Sequence, residues 1–281
     1  MWRISAPVIP VQSVLDACVV NVADAGRKAA FEALGTPLSD AAEAFWTALQ
    51  STTLHELPEV DTVGGMTTAD MIWLYEQKLV PAKAPGRAIY DTLKMAAPNG
   101  KCPLCGRGTV YSLDHHLPKT RYADLTITPT NLIPSCQDCN KTKTQSIPLL
   151  AAEETIHPYI DDIDVDIWLR ARVVEVTPAA LFFYADPPPS WPLTLQRRVK
   201  HHFRVFKLRK AYASEAGYLI GNIRGHLIRN VSKQGATGIR AYLADQAESC
   251  RDVRRNSWEA AAYSALSESD WFCNGGYSLL G

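Results

Sequence analysis

Four cysteines in two Cys-x-x-Cys pairs, Cys102 with Cys105 and Cys136 with Cys139, mark the part of the chain whose residue types can do chemistry. Thiolates at this spacing can bind one tetrahedral ion, and zinc is the expected metal for four sulfur ligands. Since no fifth candidate ligand lies nearby, we expect a closed structural site. Zinc would there stabilise a segment too small to form a hydrophobic core of its own.

The interval between the two pairs is longer than in an ordinary zinc ribbon, and it carries polar side chains of a second kind. Asp114 offers a hard carboxylate oxygen suited to Mg²⁺, and Asn140, directly after the last cysteine, offers a neutral oxygen. Histidine side chains ordinarily titrate near neutral pH, so we expect His115 to be able to act as a general base. Zinc on Cys139 would bring Asn140 against the strand that carries Asp114. We therefore expect the two oxygens to share one Mg²⁺, with water and a phosphate completing its shell.

The elements that must position these side chains are mainly helical. Residues 1–100 predict several helices, with N-caps at Thr36, which Pro37 follows, and at Thr67. A β-prone segment at 109–113 predicts a strand that ends at Asp114, and a short helix is expected from Gln137 onward.

Beyond residue 151 the composition changes, and the segments 173–174 and 181–184 predict a small β-hairpin before the helices of 194–267. The predicted fold class is α+β, a mainly helical chain with a central zinc module and a small hairpin after it. We divide the chain into a helical region (1–100), the zinc module (101–150) and a hairpin with further helices (151–281).

Charge is balanced over the whole chain, with 29 basic and 29 acidic residues, so any surface for nucleic acid must be local. Such a surface is predicted on the helix that starts near residue 194, where one face carries Arg197, Lys200, Arg204 and Lys207. This face can contact phosphates. A solvated helix face, or a contact for the acidic segment 153–166, explains the same pattern equally well.

The N-terminal segment lacks the features of a signal peptide, and no apolar run approaches the ~20 residues that cross a bilayer. Together with cysteines that suit a metal site better than disulfides, this predicts a protein of the reducing cytoplasm with no membrane partner.

The stretch from Cys102 to Lys143 resembles the HNH, or ββα-metal, endonucleases of the subtype with a four-cysteine zinc knuckle. The motifs C-P-L-C-G, L-D-H-H-L-P-K, N-L-I-P and C-Q-D-C-N-K-T-K carry the resemblance. It implies that Asp114 binds the catalytic metal, that His115 activates water, and that Asn131 bonds backbone and orients the histidine. Asn140 corresponds to a second metal ligand, which is histidine in many members.

The resemblance also predicts cofactors, substrate and further contacts. Structural Zn²⁺ and catalytic Mg²⁺ or Mn²⁺ are expected, with a nucleic-acid substrate, DNA rather than RNA. Some relatives have two adjacent histidines, of which the first binds the metal and the second is the general base. Here Asp114 is available as the metal ligand, so we assign the general base to His115 rather than to His116. Phosphate contacts are assigned to His116, Lys119, Lys141 and Lys143, together with the basic helix face.

Segments outside the motifs, Arg87 to Tyr90 and His157 to Tyr159, are similar to HNH proteins of bacterial phage-defence systems, which implies an ATPase partner protein. The competing interpretation is a non-catalytic zinc module that binds nucleic acid or protein. It explains the cysteines and the basic helix, but it does not explain why Asp114, His115, Asn131 and Asn140 occupy matching positions.

Overall fold

The chain forms two compact units, Trp2–Asp161 and Asp162–Gly281, in a computed structural model that describes residues 1–143 and 147–279. Within those residues the strands form three two-stranded antiparallel sheets, and most of the remaining ordered backbone is helical. The predicted α+β class is confirmed. No helix in these two ranges combines the length and the apolar character that crossing a bilayer requires.

The first unit begins with helices and one short hairpin. The helices are α1 (Val11–Val19), α2 (Ala25–Glu32), α3 (Gly35–Ser51), α4 (Thr68–Lys78) and α5 (Arg87–Met95), and the hairpin strands are β1 (Thr62–Val63) and β2 (Met66–Thr67). Thr67 caps α4 as predicted, because its hydroxyl accepts a bond from the Asp70 N–H while the Asp70 carboxylate accepts one from the Thr67 N–H.

The predicted cap at Thr36 is wrong. Helix α3 already starts at Gly35, after Leu34, and no side chain caps its first turn. Leu34 is fully buried, and its carbonyl accepts the N–H of Leu38 at 3.0 Å. Burial of this leucine in the core holds the junction between α2 and α3, and a local capping preference does not override it.

The zinc module follows with β3 (Ser112–His115), β4 (Leu132–Ser135) and α6 (Gln137–Lys143). The predicted strand at 109–113 overlaps β3 at residues 112–113 but starts too early, because the backbone before Ser112 still belongs to the cysteine loop, where the Cys102 N–H donates to the Gly108 carbonyl at 2.8 Å. Asp114 lies in β3 opposite Ile133, and the strand continues one residue beyond its predicted end, to His115.

The described residues of the module share a hydrophobic core with the helices before it. One cluster of buried side chains contains Leu15 of α1, Leu74 of α4, Leu113 of β3 and Leu132 of β4. Residues 1–100 and the module thus form one packed unit. Burial of these leucines fixes both strands against the helices.

The second unit contains the predicted hairpin, formed by β5 (Leu169–Val174) and β6 (Ala180–Ala185). The helices that follow are α7 (Leu193–Val205), α8 (Leu208–His226), α9 (Gly235–Val253), α10 (Trp258–Glu268) and α11 (Asp270–Cys273), with a π-helical segment at Leu227–Val231. Asn256, fully enclosed between α9 and α10, accepts the N–H groups of Trp168 and Leu169 at 2.8 and 3.1 Å and so attaches β5 to the helices.

Candidate active site

The four cysteine sulfurs converge as predicted, and all lie within 4.8 Å of one another in a buried cluster. Tetrahedral zinc with Zn–S bonds of ~2.3 Å places its sulfurs about 3.8 Å apart, and the Cys105 and Cys136 sulfurs are 3.8 Å apart. The donor set and its spacing therefore fit one zinc-like metal ion.

The backbone shapes this cluster before any metal is considered. Gly106, with φ of 69°, turns the first loop so that its N–H donates to the Cys102 carbonyl at 2.7 Å. Gly108 donates its N–H to the Cys105 sulfur at 3.4 Å. A Cβ at position 108 would lie 2.7 Å from the Cys136 sulfur, so only glycine leaves room for the second pair.

Asp114 extends from β3 into a largely buried environment, with 14% of its side chain exposed. Burial raises the pKa of this carboxyl group, and the nearby Lys143 ammonium opposes the rise. The Lys143 Nζ atom lies 3.6 Å from Asp114 Oδ2, and burial lowers the pKa of the lysine in turn. An enclosed carboxylate of this kind gains from a cationic partner.

His115, at the end of β3, is held by a backbone carbonyl. Its Nε2 atom lies 2.9 Å from the Thr126 carbonyl oxygen, and the Tyr75 ring meets it edge-on with 4.7 Å between centroids. Because a carbonyl can only accept, Nε2 carries the proton and Nδ1 keeps the lone pair. Burial lowers the pKa of the ring to about 3, so the imidazole is neutral at physiological pH.

The side chain of Asn131 hydrogen-bonds backbone groups of the loop that follows β3. Its Oδ1 accepts the Leu117 N–H at 2.7 Å, and its Nδ2 donates to the Leu117 and Leu125 carbonyls, both at 3.1 Å. Its own carbonyl accepts the His116 N–H at 2.8 Å. This fully buried asparagine fixes the segment that follows the proposed base.

Asn140 projects from α6 toward β3. Its Nδ2 donates to the Ser112 hydroxyl at 3.0 Å and approaches the Leu113 carbonyl at 3.5 Å. Since the amide nitrogen is engaged with the strand, the amide oxygen is the atom that could bind a metal ion.

Asp114, His115 and Asn140 line one cavity of about 280 Å³, together with Tyr75 and Lys119. The expectation that zinc-bound α6 brings Asn140 to the strand of Asp114 matches this arrangement. An acidic oxygen, an amide oxygen and an imidazole around one space can hold a hard divalent cation beside a base.

The lysines and the second histidine differ in their exposure. Lys119 borders the cavity, and its ammonium donates to Glu76 at 2.6 Å. Lys141 is exposed on α6, whereas Lys143 and His116 are buried. Lys143 donates to the His116 carbonyl at 2.6 Å and also to the His115 carbonyl, so its observed contacts are to the end of β3. Its phosphate contact stays a prediction.

His116 turns away from the cavity. Its ring packs against the ring of His157, with 4.4 Å between centroids, and it is 7% exposed. The assignment of the base to His115 rather than His116 remains a prediction, and the direction of the two rings favours it.

The basic face of α7 belongs to the second unit. Arg197, Lys200 and Arg204 are exposed there, and Lys207 is exposed directly after the helix. Their exposure agrees with either a phosphate contact or a solvated face.

Several supporting residues were not predicted. The Tyr90 hydroxyl accepts the Leu113 N–H at 3.2 Å, and the Tyr159 hydroxyl donates to the Leu132 carbonyl at 2.7 Å, so one tyrosine holds each strand of the β3–β4 pair. Both tyrosines stand in the flanking segments that resemble HNH proteins. Thr126 acts through its carbonyl, a group that every residue has, so its residue type carried no signal.

Comparison with known proteins agrees with this geometry. The HNH endonuclease family model matches residues 102–146, the segment that contains the cysteine cluster and every named cavity residue except Tyr75. Protein ea31 of Escherichia phage lambda is 31% identical over 232 residues, which cover 78% of this chain and 78% of ea31. This chain belongs to the same family as ea31 and carries an HNH endonuclease domain. No solved structure matches the chain.

The family model places the HNH domain within the first unit. The alignment with ea31 covers 232 residues and so extends well beyond that domain. The relative is a phage protein, and its name states no activity, so the similarity to phage-defence nucleases gains nothing from the comparison. The domain itself points to a nuclease type of function and to interaction with nucleic acid.

Proposed function

We propose that this chain is a metal-dependent endonuclease that hydrolyses phosphodiester bonds of nucleic acid, DNA in preference to RNA. The observation that supports this most strongly is the single cavity shared by Asp114, His115 and Asn140 in an HNH domain. A non-catalytic zinc module has no need for a carboxylate, an amide and an oriented imidazole around one space.

Within the cavity His115 is the general base. Its Nδ1 accepts a proton from the water that attacks phosphorus, while the Thr126 carbonyl keeps the ring in the required tautomer. The lowered pKa keeps the ring neutral before substrate binds, but it also weakens the ring as a base, because a general base works best when its pKa lies near the working pH. A bound phosphate opposes the shift, because a negative charge nearby favours the protonated imidazole that forms during the reaction.

Asp114 and Asn140 are the residues that would hold Mg²⁺ or Mn²⁺. Such an ion neutralises charge on the phosphate and stabilises the leaving 3′ oxygen. Lys119, at the cavity edge, is placed to contact a phosphate of the substrate. Zinc bound by the four cysteines would keep α6, and therefore Asn140, against β3.

The test is incubation of purified, zinc-loaded protein with supercoiled plasmid, single-stranded DNA and structured RNA, with Mg²⁺, Mn²⁺ or no added divalent ion. We expect metal-dependent cleavage of DNA by the wild type and not by His115→Ala. Equal cleavage by both proteins would contradict the role of His115. Absence of cleavage under every condition, also with co-purified partners present, would leave the zinc-module interpretation.

An ATPase partner and a role in phage defence remain part of the proposal, supported by the similarity of residues 87–90 and 157–159 to such nucleases. Affinity purification of the chain from its native host, followed by identification of bound proteins, tests the partner. Recovery of the chain without any nucleotide-hydrolysing protein would contradict it.

A further inference from the structure

A second cavity, about 740 Å³ in volume, lies wholly within the second unit between the β5–β6 hairpin and helices α7 and α8. We call it the basic groove, because five cations line it: Lys200, Arg204, Lys207, Arg209 and Lys210. Its apolar wall contains Phe182, Tyr184 and Phe203. A space of this size is in the range that binds ligands in proteins.

Within the part of the chain that the structure describes, the cations of the basic groove have no carboxylate partners. No acidic residue lies among the described residues that line it, and across 1–143 and 147–279 none of its five cations forms an ion pair with a carboxylate. Arg209 instead donates through Nε to the Phe183 carbonyl at 3.1 Å. Five like charges around one concavity create a strong positive potential that attracts an anion.

The start of α8 adds to this potential. Lys207 is the residue before the helix and has a left-handed backbone, with φ of 50° and ψ of 37°, and Arg209 and Lys210 stand in the first turn, which has no acidic residue. The N-terminal end of a helix is itself positive, so cations there oppose the helix dipole. An anion bound in the basic groove would offset both the dipole and the clustered cations.

The β5–β6 hairpin contributes aromatic side chains to the basic groove. Along β6, Leu181 and Phe183 are buried, while Phe182 and Tyr184 face outward and are half-buried. The guanidinium groups of Arg172 and Arg209 lie 4.8 and 4.3 Å from the centroid of the Phe182 ring. Aromatic rings and guanidinium planes are the surfaces on which unpaired nucleic-acid bases stack.

We infer that the basic groove binds a single strand of nucleic acid, with phosphates against the cations of α7 and the start of α8 and with bases on the Phe182 and Tyr184 side. A duplex presents the same phosphates, but its base faces are already stacked and cannot use the rings. The inference rests on the proposed function only in taking nucleic acid as the ligand; it does not depend on cleavage.

The test is fluorescence anisotropy with a labelled oligothymidylate, against a duplex of equal length and the mononucleotide dTMP as competitors. The full chain carries His115→Ala so that the strand stays intact. We expect the oligothymidylate to bind more tightly than the duplex or dTMP. Phe182→Ala should weaken it by about 5- to 150-fold, the range for removing one aromatic ring on which a base stacks.

Charge is tested separately with Lys200→Glu, which should weaken binding and reduce the slope of log K against log salt by about 0.7 for each phosphate that the protein no longer neutralises. Tyr218→Ala and Lys233→Glu are matched controls, because both residues are exposed in the second unit and neither lines the basic groove. Neither control should change affinity for the oligothymidylate by more than about twofold, since surface changes outside a site have small effects.

Circular dichroism and thermal melting establish whether each variant is folded. If Phe182→Ala does not fold, Arg209→Gln provides a second substitution in the basic groove. Binding that is unchanged in folded groove variants, or equal for duplex, dTMP and single strand, would overturn the inference even if the wild type cleaves DNA. Conversely, tight binding that depends on Phe182, in a protein that cleaves nothing, would support the basic groove and contradict the proposed nuclease.

Discussion

The imidazole of His115 donates through Nε2 to the carbonyl oxygen of Thr126, 2.9 Å away and in the loop between the two strands of the module. This single bond decides which nitrogen of the ring can accept a proton, because the tautomer with Nε2–H leaves the lone pair on Nδ1. The edge of the Tyr75 ring restricts the same imidazole from another side. The orientation of the proposed base is therefore built into the fold before substrate binds.

Replacing the two adjacent histidines separately tests this assignment. His115→Ala should lower the rate of plasmid cleavage by about 10²- to 10⁴-fold, the usual effect of losing a positioned base. His116→Ala should retain activity within about tenfold, because its ring packs on His157 rather than lining the cavity, and only bases that reach the substrate contribute directly. The reverse ranking, in folded proteins, would assign the base to His116.

Asn131 should matter for stability. In Asn131→Ala the backbone groups of Leu117 and Leu125 are left without their buried partners. We expect the free energy of unfolding to fall by about 2–4 kcal/mol in urea denaturation, since each buried polar group without a partner costs about 1–3 kcal/mol. Unchanged stability in this variant would contradict the positioning role.

Asn140 should matter for metal use and much less for stability, because it is only partly buried. Asn140→Ala should raise the Mg²⁺ concentration needed for half-maximal cleavage while changing the free energy of unfolding by less than about 1 kcal/mol. Asn140→His should restore cleavage and favour Mn²⁺ over Mg²⁺, because an imidazole nitrogen is a softer ligand than an amide oxygen. A metal titration of cleavage measures both. If Asn140→Ala needs the same Mg²⁺ concentration for half-maximal cleavage as the wild type, Asn140 is not a metal ligand.

Zinc content tests the cysteine cluster. Cys136→Ser should lower bound zinc, measured by atomic emission, together with the melting temperature, because metal binding and folding of the module are coupled. Cys250→Ser is the control, since Cys250 is partly exposed and lies outside the cluster. Wild-type zinc stoichiometry in Cys136→Ser would refute the site.

Gly108 tests the shape of the cluster with all four sulfurs retained. A Cβ at this position would lie 2.7 Å from both Cβ and Sγ of Cys136, so Gly108→Ala should weaken zinc retention during chelator competition. Gly221→Ala is the matched control, because its added Cβ would meet no atom within 4 Å. On α8 this change should stabilise the protein by about 0.5–1 kcal/mol, since alanine is the better helix former. Equal zinc retention in the two variants would contradict the steric argument.

The convergence of the four cysteines, and of Asn140 with Asp114 and His115, could be predicted from the sequence because it depends on residue type and spacing. Two cysteine pairs can converge on one ion only if the chain folds back between them, and that return brings Asn140 toward β3. Local preferences also sufficed to predict the cap at Thr67 and the β5–β6 hairpin, where residues close in sequence supply the stabilising contacts.

Tertiary structure alone decided the features that depend on groups distant in sequence or common to all residues. The buried Leu34 set the start of α3, the Thr126 carbonyl chose the tautomer of His115, and Lys143 turned inward beside Asp114. Every residue has a backbone carbonyl, so the residue type does not show which carbonyl will accept a particular hydrogen bond. Burial of a leucine or a lysine depends on all the elements packed around it. The sequence thus determined which groups are available for metal and proton chemistry, and packing determined where each of them points.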